Sequence, residues 1–423
     1  MRILFAFENA LPNAEADAEV FTATARYLAQ LVDGASLHVP FARRADPAPI
    51  AAVAGLAGLA VLRAWAPLRP AALRHLACGS TIVLRRAFRE ADLVYTRNLW
   101  VAWTALRAGQ RVVFDHYRPW PDQIPPLQPW LYRLMCHPRF LVHICHSEYT
   151  RRKYLELGVP AEKLCCIHNG FEPARFAAVM PAAVAKAQLG IPADRKTVVY
   201  TGRINHKKGL HLMIEAARRR PDLLFIMVGS YGEGPIEAMA REVANVRVVA
   251  FQPQAALAPY IFAADVLMIP PSLQPLAQFG STVLPLKLFL YLAAGRPILA
   301  GETPEVREVL EHGRNAWLCP PDRIDALMEG IARLTEDGAL AARLGAAAAA
   351  DSEGLTWAAR AARIAALLER RLAAAPVVAP PWDRARSPRW REQSGRWLKH
   401  ALRTHSWVVP PQFPAADPES STS

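Results

Sequence analysis

The run KTVVYTGRINHKKGLHLMIEAARRRPDLLFIMVG, residues 196–229, decides the fold class. Apolar and β-branched residues at 196–203 and again at 223–229 bracket a helical pattern from Gly209 to Arg220, so the stretch reads strand, helix, strand. Parallel strands need such a crossover, and its repetition builds a sheet wrapped by helices. The same grammar continues in VRVVAF (246–251), DVLMIP (265–270), PILAG (297–301) and AWLCP (316–320). It also fills the first half, in ILFAF (3–7), SLHVPF (36–41), DLVYTR (92–97), RVVFDH (111–116), FLVHICHS (140–147) and KLCCIHNG (163–170). The expectation is an α/β protein of two doubly wound, Rossmann-like domains.

A stretch rich in Ala and Pro, from Glu172 to Asp194, carries no strand pattern and marks the boundary, giving domains at 1–178 and 179–371. Beyond Arg371 the composition turns Pro-rich around a basic, Trp-bearing run, SPRWREQSGRWLKHALRTHSW (387–407). This tail, 372–423, is expected to be partly disordered, at its end above all. If helical, it gathers Trp390, Trp397, Leu398, Ala401 and Leu402 on one face.

Composition narrows the function classes. The chain has 423 residues, 52% of them hydrophobic, and a net charge of +13. Such a charge implies an anionic partner, whether phosphorylated small molecule, anionic lipid or nucleic acid. The apolar stretch 48–62 is mostly Ala and Gly and stops at Arg63, short of the roughly 20 residues a spanning helix needs. The first residues meet acids and a Pro too soon for a signal peptide, so a cytoplasmic location is expected. Cys78, Cys136, Cys145, Cys165, Cys166 and Cys319 are scattered without a CxxC or an evident Cys/His ligand spacing and read as free thiols. GRINHKKG lacks the GK[ST] of a P-loop, VGSYGEGP reverses the dinucleotide glycine spacing, and HExxH, GxSxG and acid-rich metal clusters are absent from the sequence.

In doubly wound sheets, ligands bind beyond the carboxyl ends of the strands. Gly202 and Arg203 end one strand, Gly229 the next, and the loop 271–284 follows a third. A helix is expected to open at Pro285, where fixed φ and a missing N–H suit the first helical position. Its amides and dipole, with Lys287 in the first turn and Arg203 and Lys208 opposite, form an anion site for two phosphates. Spacing alone also admits Lys207 and Lys208 as ornaments of a solvated loop.

The residues now carry a resemblance. VVYTGRINHKKGLHLMIEAA, LLFIMVGSYGEGP, ADVLMIPPS, PLKLFLYLAAGRPILAGETPEVREVL and GRNAWLCPPD resemble, in order and spacing, the second domain of family 4 retaining glycosyltransferases with the GT-B fold. DLVYTRN, VVFDHY, ICHSEYTRRKYLELGVPAEKLCCIHNGFEPARF and LTWAARAARIAALLE are similar to the rest of that pattern. The resemblance implies two domains facing across a cleft. It further implies a nucleoside-diphosphate sugar as donor, transfer with retention, no bound metal, and a glycan or lipid-linked acceptor. Arg203 and Lys208 match the basic pair at the leaving diphosphate. Gly202, Leu284, Pro285, Leu286 and Lys287 match the strand end and helix start that bind it, and His116 matches a histidine beside sugar and acceptor. A cap at a strand end is the plainer reading of His116. Asn169 and Gly170 match an interdomain turn, read here as one that needs positive φ. An envelope acceptor favours an anionic membrane surface over nucleic acid as partner of the basic tail; the alternative is that the segment folds back across the first domain, as final helices of this fold do.

Two departures stand out. The first strand-to-helix loop, with Glu8 and Asn13, lacks the family's glycines. More important, relatives carry a ribose-binding glutamate three residues after the lysine, where this chain has Leu290, and Asp and Glu are absent from 266 to 301. Thr282 stands where some relatives have a second acid; Tyr291, Thr282 or a residue of the first domain is left to contact the ribose, or Leu290 marks a donor that sits differently. Loss of one hydrogen bond to a charged acceptor costs roughly 1.5–3 kcal/mol, which weakens a donor without forbidding turnover. A scaffold that has lost catalysis is the alternative reading.

Overall fold

The computed structural model describes residues 1–13, 15–41, 50–52, 55, 58–176, 179–253, 256–273, 284–382 and 390–409. Thr282 and most of the loop before Leu284 lie outside them. The first sheet comprises β1 (Arg2–Ala6), β2 (Gly34–Val39), β3 (Ala60–Arg63), β4 (Leu93–Thr96), β5 (Val112–His116), β6 (Phe140–Cys145) and β7 (Leu164–Cys166). Its seven strands run in the order β3-β2-β1-β4-β5-β6-β7, every neighbour parallel. The second sheet comprises β8 (Thr197–Thr201), β9 (Leu224–Ser230), β10 (Val246–Ala250), β11 (Val266–Ile269), β12 (Ile298–Gly301) and β13 (Trp317–Cys319). Its order is β10-β9-β8-β11-β12-β13, again parallel throughout.

Central strands such as β5 and β8 are buried at every residue, as helices on both faces require, which is why they read as unbroken apolar runs. The strand missed in the sequence, β3, lies at the edge and is half exposed. Its AVLR, among Ala and Gly, gives neither alternation nor a β-branched run.

The chain does not keep its two halves apart. The Trp357–Ala373 helix follows the second sheet in sequence, yet Ala361, Ile364, Ala365, Leu367 and Leu368 lie in the core of the first, beside Phe21 and Leu28. The apolar stripe of this helix packs on the first sheet, so the chain crosses back after completing the second sheet. Thr356 caps the helix, accepting from the Ala359 amide at 3.1 Å.

The tail also returns. Trp382 packs against Tyr132 at 5.3 Å between ring centroids, and the Tyr132 hydroxyl donates to the Pro380 carbonyl at 2.8 Å. A helix at Trp390–Thr404 lies on the first domain, where Trp390 Nε1 donates to the Pro125 carbonyl at 3.1 Å. Ala401 is its buried residue; Trp397 meets Trp407, while Leu398 and Leu402 stay exposed.

Candidate active site

The carboxyl end of β8 is shaped by two glycines that no other residue can replace cheaply. Gly202 has φ +126° and Gly229 φ +125°, and a Cβ on Gly229 would lie 2.4 Å from the Gly202 carbonyl oxygen. Gly202, lacking a side chain, also leaves room beside β8 for Lys287 of the Leu286–Ala293 helix. Pro285 stands one position earlier than expected, extended at ψ 135° just before the first helical residue, and no side chain caps this helix start. Leu284 anchors it from the core and Leu286 is half-buried.

Lys287 then falls over the strand end. Its ammonium lies 3.4 Å from the centre of the Tyr200 ring, and a Cβ on Gly202 would meet Nζ at 2.8 Å. Among the described residues no carboxylate pairs with Lys287. Loss of water first, and Lys208 second, push its ammonium well below the ordinary lysine range. Lys208, exposed in the short His206–Lys208 turn, and Lys287 thus form a mutually repelling pair that an anion between them would relieve. Arg203 leaves the same strand end in another direction. It is 59% exposed, 3.3 Å from Glu15 Oε1 across the cleft, with its guanidinium 5.4 Å from the Tyr231 ring.

Leu290 fills the core, at 7% exposure. Tyr291 does not take the glutamate's place: its hydroxyl accepts from the Thr201 amide at 2.8 Å and lies 3.1 Å from Thr201 Oγ1. That contact locks the helix to β8 and withdraws the tyrosine from any ligand.

On the first domain, His116 ends β5 at 9% exposure, wedged between Tyr117 and Trp120 at 4.7 and 4.6 Å. Its Nδ1 accepts from the Arg118 amide at 3.0 Å, so in the neutral ring the proton sits on Nε2. Burial, then Arg97 and Arg118, hold it well below the usual imidazole range, which keeps it neutral. Glu8, two residues past β1, is half-buried, with Oε2 unpartnered and its carboxyl raised by loss of water. Asn13 accepts from the Glu15 amide at 2.8 Å and so shapes the loop.

Beneath His116 lies a buried polar knot not visible in the sequence. Arg360, from the returning helix, donates to both oxygens of Asp115 at 3.1 Å and to Thr24 Oγ1 at 2.9 Å. Tyr95 donates to Asp115 as well, and His146 Nε2 lies 2.5 Å from its other oxygen. Burial alone would raise the Asp115 carboxyl, but Arg360 and His146 outweigh it and hold the group ionised. Asp115 is next to His116 in β5, so the knot fixes the strand end that presents the histidine.

Asn169 and Gly170 lie where the chain returns, but not for the expected reason. Neither has positive φ; a Cβ on Gly170 would lie 2.6 Å from the Thr356 carbonyl carbon and 2.8 Å from the Trp357 nitrogen. Phe171 pairs with this crossing segment, accepting from Trp357 N and donating to Leu355 O, both at 3.1 Å. Glycine is needed for close approach rather than for a left-handed turn.

Two family models match the chain. Glycosyl transferases group 1 covers residues 183–351, and Glycosyltransferase Family 4 covers 18–175. Among curated proteins, the chain is 26% identical over 270 residues to the amylovoran biosynthesis glycosyltransferase AmsK of Erwinia amylovora, 61% of this chain and 60% of that one. It is 32% identical over 195 residues to the putative colanic acid biosynthesis glycosyl transferase WcaI of Escherichia coli, 44% of this chain and 47% of that one. The match thus spans 60% and 47% of these relatives' lengths. Anabaena HepE, solved with UDP and glucose, superposes with a TM-score of 0.66 at 20% identity over 87% of this chain and 99% of that chain. This likeness shows a GT-B fold, two parallel sheets wrapped by helices. With both halves matched in order, the chain belongs to the group 1, family 4-type glycosyltransferases.

Proposed function

We propose that the chain transfers a sugar, with retention, from a nucleoside-diphosphate sugar to a glycan or lipid-linked acceptor of an envelope polysaccharide. The observation that carries this reading is the Lys208 and Lys287 pair, two cations at one strand end with no carboxylate paired to Lys287 among the described residues. The leaving diphosphate gains charge as the glycosyl bond breaks, so cations placed there act on rate more than on ground-state binding. Arg203 completes the set by exchanging Glu15 for phosphate when the donor arrives. His116, neutral and protonated on Nε2, donates a hydrogen bond to sugar or acceptor. The complex of HepE with UDP and glucose, and the roles of AmsK and WcaI in polysaccharide synthesis, support donor and acceptor class. No step here uses a metal ion.

The exposed Leu398, Leu402 and Trp407, interleaved with Arg391, Arg396, Lys399 and Arg403, support an anionic membrane surface as the place of work. No helix among the described residues is long and apolar enough to cross a membrane, so contact would be peripheral. A second reading, a scaffold without turnover, is favoured by Leu290, which puts a core side chain where the family's ribose acid would be.

The test is a panel of UDP, GDP and ADP sugars incubated with the protein, with free sugar and its anomeric configuration followed by NMR. Release of one sugar as the donor's anomer, lost in Lys208→Ala, supports the transferase; no release from any donor, with or without oligosaccharide acceptors, favours the scaffold.

A further inference from the structure

Cys166 and His168 are two residues apart in an extended segment leaving β7, so their side chains point the same way. Glu308 reaches them from the second domain, 140 positions along the chain. His168 Nε2 lies 3.0 Å from Glu308 Oε2 and 3.8 Å from Cys166 Sγ, and one ligand atom from each residue falls within 4.8 Å of the others. These spacings approach those of ligands around a tetrahedral zinc ion, whose bonds are about 2.0–2.3 Å long. The carboxylate is held in place from behind: Glu308 accepts from the Glu148 and Tyr149 amides at 2.6 and 2.9 Å. Such outer hydrogen bonds orient metal ligands. All three side chains are half-buried, neither sealed nor freely solvated.

We propose that Cys166, His168 and Glu308 form a zinc site that staples the two domains, with the fourth position left to water. The site is separate from the donor cations, and the proposal stands whether or not the chain is an active transferase. A thiol, an imidazole and a carboxylate together suit zinc better than the hard cations magnesium or calcium, which prefer oxygen. Binding displaces the thiol proton to the solvent and replaces the direct contact of His168 with Glu308 by two metal bonds. Because two ligands belong to the first domain and one to the second, the ion resists their separation and slows any opening of the cleft.

The full chain, reduced with a non-thiol phosphine and freed of metal, is titrated with Co²⁺ as a spectroscopic probe and then with Zn²⁺ as competitor. One equivalent of cobalt with a thiolate charge-transfer band, displaced by zinc, is expected. Cys166→Ser should abolish the band, while His168→Ala and Glu308→Gln weaken binding at least about tenfold. Zinc should also raise the melting temperature of the wild type and not of Cys166→Ser. A wild type without the band, or a band and affinity unchanged in Cys166→Ser, would overturn the proposal, the latter marking an adventitious ion. Glu308→Gln is a further safeguard, since it keeps the side chain's shape and an acceptor for one of the two amides. Unchanged cobalt affinity in that variant would remove the interdomain part of the site.

Discussion

Replacing Lys287 with Met separates what the residue does for folding from what it does for binding. In the free protein the ammonium rests on the Tyr200 ring, without a paired carboxylate among the described residues and repelled by Lys208. Methionine keeps the apolar stem and a favourable sulfur contact with the ring while removing the charge. Near neutral pH the free variant should therefore be more stable, because relief of the desolvated, repelled ammonium outweighs the lost cation–π contact of about 0.5–2 kcal/mol. The sign follows from proton binding. Between the depressed folded value and the ordinary lysine range the unfolded chain holds the extra proton, so wild-type stability rises with pH across that interval. Above it the advantage of the variant disappears.

Nucleotide binding moves the other way. Loss of one charge-assisted hydrogen bond costs roughly 1.5–3 kcal/mol, about a ten- to hundredfold rise in Kd for a nucleoside diphosphate. Thermal denaturation of both proteins at several pH values, then calorimetric titration with UDP, GDP and ADP, reads both effects. A variant that is less stable without ligand, or that binds the diphosphate as well as the wild type, would refute the reasoning.

Gly170→Ala places a methyl 2.6 Å from the Thr356 carbonyl carbon, and should lower the urea midpoint by the equivalent of about 1–3 kcal/mol without touching the donor site. Arg360→Met leaves Asp115 charged and buried, so a loss of about 3–5 kcal/mol is expected, with part recovered in the double variant with Asp115→Asn; a neutral single variant would contradict the knot. Arg203→Ala, at an exposed residue, should melt like the wild type while its transfer rate falls roughly ten- to a hundredfold; a full rate would remove Arg203 from the mechanism. Burial and then neighbouring Glu308 raise the Glu305 carboxyl to about 7. The folded state therefore holds the extra proton below that pH, stability should fall as pH rises toward 7, and Glu305→Gln should flatten that slope in pH-dependent melting.

Much of this was legible in the sequence because parallel strands buried on both faces leave long apolar runs, and twelve of the thirteen strands among the described residues sit in such runs. The cations proposed to hold the donor drew attention for a related reason: they come after strand ends, where doubly wound sheets keep their ligands. What stayed hidden depends on contacts between distant parts of the chain. Arg360 looks like one more arginine on an amphipathic helix until the crossing brings it to Asp115. Gly170 next to Asn169 suggests a turn, and only the passing backbone at 356–357 reveals the true constraint. Tyr291 looks available beside Leu290, yet helix geometry turns it inward to Thr201. Cys166 and His168 mean little until Glu308 arrives from the other domain.

The central claim is that Lys208 and Lys287 hold the second phosphate of a nucleotide. It is tested most directly by comparing UDP with UMP, and GDP and ADP with their monophosphates, in calorimetric titrations of wild type and Lys208→Ala. The account predicts one base for which the diphosphate binds about ten- to a hundredfold more tightly than the monophosphate, and a preference that shrinks toward unity in the variant. Equal affinity for the two phosphorylation states, or no binding of any nucleotide at millimolar concentration, would contradict it.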